Sequence, residues 1–435
     1  MYVGSVNFSN TYYRFCVCGA SESFPDCDLW EDAEKSFYKN KHDSVGPQII
    51  HVHPARVMRI ARAVNGGTYT PKPGYCFPLR TPSPREIFAA FCSDRLVHHF
   101  VAPFICSIAE RVHLSNGDVS HGNRIGHSAQ TGAEQIRGAI QQAEKDYLVP
   151  YVVKVDIRSF FTSIPRELAY GAFEKFADTY YTGEDKGKML ALCRLLVLHN
   201  PVEGCVELPG DWSMVPAAKR VKNAKPGCGL PIGNFYSQII ANLFLALWDR
   251  ELLKFGVSPR FVDDKCGIVK DRDEAVAFVN AARVAAAGVG LTMHPDKIYI
   301  QPARNGVNFC GRTIKGNRIY LSSKTINRCL YRINMLPLSQ EGARLACDTA
   351  NSCIGLMYHC TEYGAQKKIC KRFLSRFGKW VYVCFRKGKF TCKLKREFTV
   401  RNEHRTTVNN LINIYHETCK ENRRGHHPRR SGKRH

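Results

Sequence analysis

Three aspartates constrain this chain more than any other feature. Asp263 and Asp264 follow Arg260-Phe261-Val262 and precede Lys265-Cys266-Gly267-Ile268-Val269, a strand–turn–strand pattern. Asp156 closes a second run, Tyr151-Val152-Val153-Lys154-Val155, well upstream. Its apolar content and length predict a buried strand. Packing both runs into one sheet sets a strand-end carboxylate facing two hairpin-tip carboxylates. Such a set can hold two divalent cations about 3.5–4 Å apart, the spacing used for in-line phosphoryl transfer. An Asp-Asp pair in a turn is by itself ordinary turn chemistry, so the weight falls on the surrounding residues.

Those surroundings read in the order strand, helix, hairpin, helix, strand. That is the order of a ferredoxin-like α+β sheet with helices on one face. Residues 166–199 read as helical, and 201–229 as an irregular insertion. Residues 239–255 are apolar nearly all round, the mark of a buried helix. Asp273 is placed to cap a helix over 274–287 that stops at Gly288. Short strands are predicted at 298–300 and 307–309. Upstream, helices are predicted over 28–39, 57–64, 93–111 and 135–145. Prolines at 71, 73, 78, 82 and 84 mark turns and edge segments, and 115–132 reads as a loop. Residues 323–385 read as a separate, smaller helical unit.

At 435 residues the chain has room for two or three domains. Its net charge of +25 is concentrated: residues 361–435 hold 21 Lys plus Arg against 5 Glu and no Asp. That imbalance points to a polyanionic partner, with 421–435 reading as a solvated tail. The 19 cysteines are odd in number and scattered through a large chain, which fits reduced thiols in a cytosol better than a disulfide framework. The N-terminus lacks a signal-peptide pattern, and no run of 18 apolar residues predicts a membrane span. Cys16, Cys18 and Cys27 with His51 and His53 could ligate zinc, though their spacing matches no common zinc pattern. His98-His99 reads as structural.

Six blocks stand in fixed order: Pro84-Arg85-Glu86-Ile87 with Ser93-Asp94-Arg95; Arg124-Ile125-Gly126; Asp156 through Phe161; Leu230 through Gln238; Phe261 through Asp264; and Leu291 through Lys297 followed by Gly306 through Gly311. Together they resemble the motifs of reverse transcriptases over most of residues 70–385. Within that group, Gly229-Leu230-Pro231-Ile232-Gly233-Asn234, Ser237-Gln238, Ala241-Asn242, Arg85 through Ala90 and Asn351 through Met357 resemble the enzymes of diversity-generating retroelements. The fifth block has Phe261 where tyrosine is usual, and Phe235-Tyr236 stands where the family commonly has Leu-Thr.

The resemblance implies a right-hand polymerase with fingers, a ferredoxin-like palm and a small helical thumb. It divides the chain into an N-terminal segment 1–75, fingers 76–150, palm 151–322 with part of the fingers at 166–229, thumb 323–385 and a basic extension 386–435. It assigns two Mg²⁺, with Mn²⁺ able to substitute in vitro, to Asp156, Asp263, Asp264 and the Ile157 backbone. Lys297 would protonate departing pyrophosphate. Arg85, Phe161, Ile232 and Gly233 would hold the deoxynucleoside triphosphate, with Phe161 excluding a 2′-hydroxyl. Arg95, Arg124, Ser237, Gln238, Phe309 and Gly311 would contact nucleic acid. The implied partners are template RNA, its cDNA and a small basic accessory protein, in a prokaryotic or phage-encoded cytoplasmic setting with no membrane. Error-prone copying at template adenines is the family's habit. Antiphage reverse transcriptases share the same ancestral blocks, and a non-catalytic RNA-binding protein on a polymerase fold is the remaining alternative.

Overall fold

The structure, a computed structural model, describes residues 27–39, 54–80, 83–357, 360, 363–386 and 388–398. Cys16, Cys18, His51, His53 and the basic stretch from 399 lie outside the described residues. The chain divides into two units, one of them formed by residues 70–398. The other holds α1 (Cys27–Tyr38) and α2 (Pro54–Asn65). Each of these helices buries one stripe, Trp30, Ala33 and Phe37 on α1 and Val57, Ala61 and Val64 on α2.

The main unit opens with an antiparallel pair, β1 (Tyr75–Leu79) and β2 (Arg85–Ala89), followed by the 24-residue α3 (Cys92–Ser115). Next comes α4 (Ala129–Asp146), which begins earlier than the pattern predicts. Ser128 and Thr131 form a reciprocal capping box that starts the helix before its apolar periodicity sets in. After β3 (Tyr151–Val155) and a single turn, α5 (Phe160–Ser163), two helices stand where one is predicted. They are α6 (Arg166–Tyr180) and α7 (Lys186–Leu198), parted by a break containing Gly183. The segment 201–229 is largely irregular; its strand β4 (Val206–Glu207) joins β1 in parallel.

The buried helix over 239–255 is α8 (Phe235–Phe244) and α9 (Ala246–Leu252), ending in a 3₁₀ turn. The aspartate hairpin follows as β5 (Arg260–Phe261) and β6 (Asp264–Val269), then α10 (Arg272–Gly288) and β7 (Tyr299–Pro302). The cap of α10 is Asp271, not Asp273: the helix starts earlier, and the extended Asp271 accepts the Glu274 amide at 2.8 Å.

The central sheet has the order β5-β6-β3-β7 with every neighbour antiparallel, a ferredoxin-like arrangement. Its helices lie on both faces, contrary to the one-face expectation. Val152, Cys266 and Ile268 share a core with Ile136 and Ile140 of α4. Gly267, on the opposite face by strand alternation, lies under the Phe278 ring of α10. The register pairs Val155 with Lys265, so Asp156 and Asp264 emerge together at one end of adjacent strands.

An antiparallel meander, β8 (Val307–Phe309), β9 (Arg312–Lys315) and β10 (Arg318–Leu321), completes the α4 side of this core. Three helices follow, α11 (Ser323–Met335), α12 (Gln340–Leu356) and α13 (Tyr363–Phe377). A hairpin, β11 (Val381–Arg386) and β12 (Lys389–Leu394), then packs onto them. Val381 and Cys392 are buried with Ile354, Ile369 and Phe373. The Asn351 amide bonds both backbone groups of Cys392, at 2.8 and 2.9 Å. The boundary expected at residue 386 therefore falls inside a hairpin that belongs to the helical unit. Cross-strand pairing, invisible in a lysine-rich stretch with weak alternation, decides this.

One buried ionic cluster ties the aspartate hairpin to the core. Asp249 on α9 is fully buried and accepts from Arg260 and Lys265, which face each other across the hairpin. Arg260 Nη2 lies 2.6 Å and Lys265 Nζ 2.8 Å from the carboxylate. Burial opposes the charge on Asp249, but the two cations outweigh it and hold the carboxyl far below the usual range. Replacing Asp249 by Asn leaves two buried cations short of a counter-charge and should cost about 3–5 kcal/mol, read by urea unfolding. The folded pKa lies below the unfolded value of about 3.9, so this contribution is present above that pH and lost as pH falls toward the folded value. The variant should therefore lose the steep acid limb of the stability profile. An unchanged urea midpoint would show that the cluster does not hold the hairpin.

Candidate active site

The sheet end that carries Asp156 and Asp264 opens into a cleft of about 530 Å³. Three segments close it, each for a local reason. The first is the hairpin tip. Phe261 pairs with Asp264, leaving Val262-Asp263 as a two-residue turn. Val262 has φ +59°, a conformation that a β-branched residue adopts only under strain. Two contacts hold it. Arg260 Nη1 donates to the Val262 carbonyl at 2.7 Å, and Gly122 leaves room for the Val262 backbone, since a Cβ there would lie 2.8 Å from its nitrogen.

The second segment is 292–297. The Arg158 amide donates to Thr292 and the His294 amide to Asp156, both at 2.8 Å, which extends the pairing beyond β3. That pairing brings Lys297 Nζ to 2.9 Å from Asp156 Oδ1. The third is 230–233. The Leu230 amide donates to Phe161 and the Phe88 amide to Ile232, so this stretch bridges the turn after β3 and the strand carrying Arg85. Gly233 has φ +122°, and a Cβ there would collide with the Phe88 carbonyl. The glycine is thus required by packing on β2, a nearer cause than approach to a base pair.

Nine of the residues singled out from sequence line this cleft: Arg85, Asp156, Ile157, Phe161, Ile232, Gln238, Asp263, Asp264 and Lys297. Arg85 is exposed and its Nε reaches Ser83 Oγ at 3.4 Å, while its neighbour Glu86 is buried and accepts from the Val221 amide. The cleft does not gather the rest. Arg124 is buried in a fork with Glu110 and also pairs with Asp118, so its donors organise the loop before α4. Ser237 is wholly buried in α8, and Arg95 lies in the first turn of α3 away from the cleft lining. Phe309 is a core residue packed against Gly132. Gly311 forms with Cys310 the two-residue turn between β8 and β9, both at positive φ, and Cys310 is the member of that turn that faces the cleft. His98 is buried edge-on against Tyr236, in keeping with a structural role.

Lys154 and Lys219 line or adjoin the site without having been singled out for it. Lys154 Nζ pairs with Asp264 Oδ2 at 3.1 Å. Strand alternation carried that signal, because Lys154 stands two residues before Asp156. Lys219 comes from the irregular 201–229 segment, where no sequence pattern announces it.

Electrostatically the carboxylates are crowded. Burial, then Asp156 and Asp264, push Asp263 up to about 6. Burial also raises Asp264, against the pull of Lys154. Its Oδ1 is buried and accepts no hydrogen bond among the described residues. Hard carboxylate oxygens, an orphaned acceptor and mutual repulsion are what a divalent oxygen-seeking cation relieves. Among the described residues, however, no three His, Cys, Asp or Glu side chains converge closely enough to hold an ion, and lysines pair with Asp156 and Asp264. The donor set fits Mg²⁺ in kind, with Lys154 and Lys297 neutralising two of its members. No described helix is long and apolar enough to cross a membrane.

No family model matches this chain, and no curated protein matches it. Solved structures do. The apo telomerase of Candida tropicalis truncated from its C-terminal domain is 13% identical over 58% of this chain and 56% of that one, with a TM-score of 0.43. Telomerase of Candida albicans with a TWJ fragment of telomeric RNA is 11% identical over 71% and 60%, also at 0.43. The apo Candida tropicalis telomerase is 12% identical over 70% and 56%, at 0.45. The chain spans less than two thirds of each, and similarity at this level assigns it no activity.

Proposed function

We propose that this chain is an RNA-directed DNA polymerase. The observation that carries the reading is the meeting of Asp156, Asp263 and Asp264 at one end of a ferredoxin-like sheet, in a cleft that also holds Arg85, Phe161 and Lys297. Asp156, Asp263 and Asp264 would hold two Mg²⁺. When bound, these ions would lower the pKa of a primer 3′-hydroxyl and neutralise the triphosphate. Arg85 offers an exposed planar fork for triphosphate oxygens, and Lys219 adds a second cation to the same cleft. Lys297 is placed to give a proton to departing pyrophosphate once its contact with Asp156 is released. Phe161 lines the same cleft as Ile232 and would exclude a ribose 2′-hydroxyl. Template RNA, the growing cDNA and deoxynucleoside triphosphates are the substrates.

The lysine pairing of Asp156 and Asp264 favours a competing reading, a non-catalytic RNA binder. One experiment separates the two. Converting Asp263 and Asp264 together to Ala should abolish primer extension in Mg²⁺ while RNA affinity stays within a few-fold, because cations outside the cleft still hold the phosphates. A parent chain that binds RNA but never extends a primer supports the binder; extension retained by the double variant contradicts the carboxylate mechanism.

The finer proposal is error-prone copying within a diversity-generating retroelement, aided by a small basic accessory protein. Ile232 is half-buried on the cleft wall and has no donor or acceptor to leave unsatisfied when a pair is misaligned. Ile232→Gln should lower misincorporation, most visibly opposite template adenine, as read by sequencing cDNA made from one RNA. Equal error spectra would show that Ile232 does not set fidelity.

A further inference from the structure

The β11–β12 hairpin projects an aromatic cluster that the cleft does not use. Phe385 and Phe390 pair across the strands with ring centroids 4.7 Å apart. Tyr363, the first residue of α13, sits 5.4 Å from Phe390 and 6.1 Å from Phe385. Nearer the base of the hairpin, the same face, through Val381 and Cys392, is sealed in the helical core. At the tip it runs past that core: Phe385 is 52% and Tyr363 50% exposed. Exposed aromatic faces grouped this way mark a binding surface more often than a solvated one.

The charge around the cluster selects the partner. Lys367 Nζ lies 4.6 Å from the Tyr363 ring centroid. Arg386 and Lys389 stand directly opposite each other in the register, two basic side chains at the hairpin tip beside the rings. Residues 361–398 carry 12 Lys plus Arg against 2 Glu. Protein-binding patches are depleted in lysine, whereas basic side chains interleaved with aromatic platforms are how single-stranded nucleic acid is held. A duplex keeps its base faces stacked inside and offers the rings nothing to stack on.

We propose that the β11–β12 tip with the start of α13 is a docking surface for unpaired RNA, outside the polymerase cleft. The choice of RNA as the strand rests on the RNA-copying reading above. Bases stack on Phe385 and Tyr363, and Lys367, Arg386 and Lys389 receive the phosphates. Such a surface tethers template RNA independently of the primer terminus.

The test uses the full chain, with a short single-stranded RNA of mixed sequence and a blunt RNA duplex as probes in fluorescence anisotropy. Phe385→Ala with Tyr363→Ala should weaken single-strand binding by about tenfold, the scale of lost base stacking, and change duplex binding less than about twofold. Phe385→Trp should retain the parent affinity. Arg386→Gln with Lys389→Gln should flatten the salt dependence by roughly two counterions. These exposed positions leave thermal unfolding unchanged. Unaltered single-strand affinity in the aromatic variant overturns the proposal, including the case in which the patch serves a protein partner. Equal losses for duplex and single strand also overturn it, because stacking is then not the mode of binding. The Asp263→Ala, Asp264→Ala chain keeps the outcomes distinct: it should lose primer extension with RNA affinity within a few-fold of the parent, so failure of catalysis and failure of this surface are read separately.

Discussion

Everything at the sheet end depends on one buried carboxylate. Asp249 receives Arg260 and Lys265, the cross-strand pair at the base of the aspartate hairpin. Neither cation could be wholly buried without it. Arg260 then spends its remaining donors on Asn242 and on the Val262 carbonyl, and Asn242 in turn bonds Ser120 and Gly122. A single network therefore fixes β5 and β6 to α8, α9 and the loop before α4. It also holds Val262 in a conformation that valine does not choose. The positions of Asp263 and Asp264 follow from that anchoring, since the turn has nowhere to relax.

The cleft is assembled from opposed charges. Asp156, Asp263 and Asp264 line the same cleft, where burial and mutual repulsion raise Asp263 and Asp264. Lys154 and Lys297 balance two of them from β3 and from the segment paired to Asp156. The same elements that deliver the acids thus deliver their cationic partners, which offset part of the repulsion among them.

The sheet and the cleft were legible in the sequence to different depths. An apolar run ending at Asp156 located β3, a run starting at Asp264 located β6, and the register brought Asp156 beside Asp264. The buried stretch from 239 stood out because it is apolar nearly all round. Other features follow from contacts that no local pattern carries. Asp249 is one acid in an apolar helix, and its partners lie beyond the turn. Arg124 was expected to contact nucleic acid, yet its guanidinium pairs with Glu110 on α3 and with Asp118 in the same loop. Gly233 was expected beside the nucleotide, and the close Phe88 carbonyl gives a packing reason for the glycine. The β11–β12 hairpin was missed because Lys and Arg interrupt its alternation and its pairing to α12 runs through the Asn351 side chain.

The central claim is that this cleft copies RNA into DNA. Its most direct test is to supply the purified parent chain with an RNA template of defined sequence, a DNA primer, all four deoxynucleotides and Mg²⁺, and to sequence what is made. The account predicts a DNA product complementary to the template, absent when EDTA removes the metal. An unextended primer, or a product whose sequence ignores the template, would contradict it.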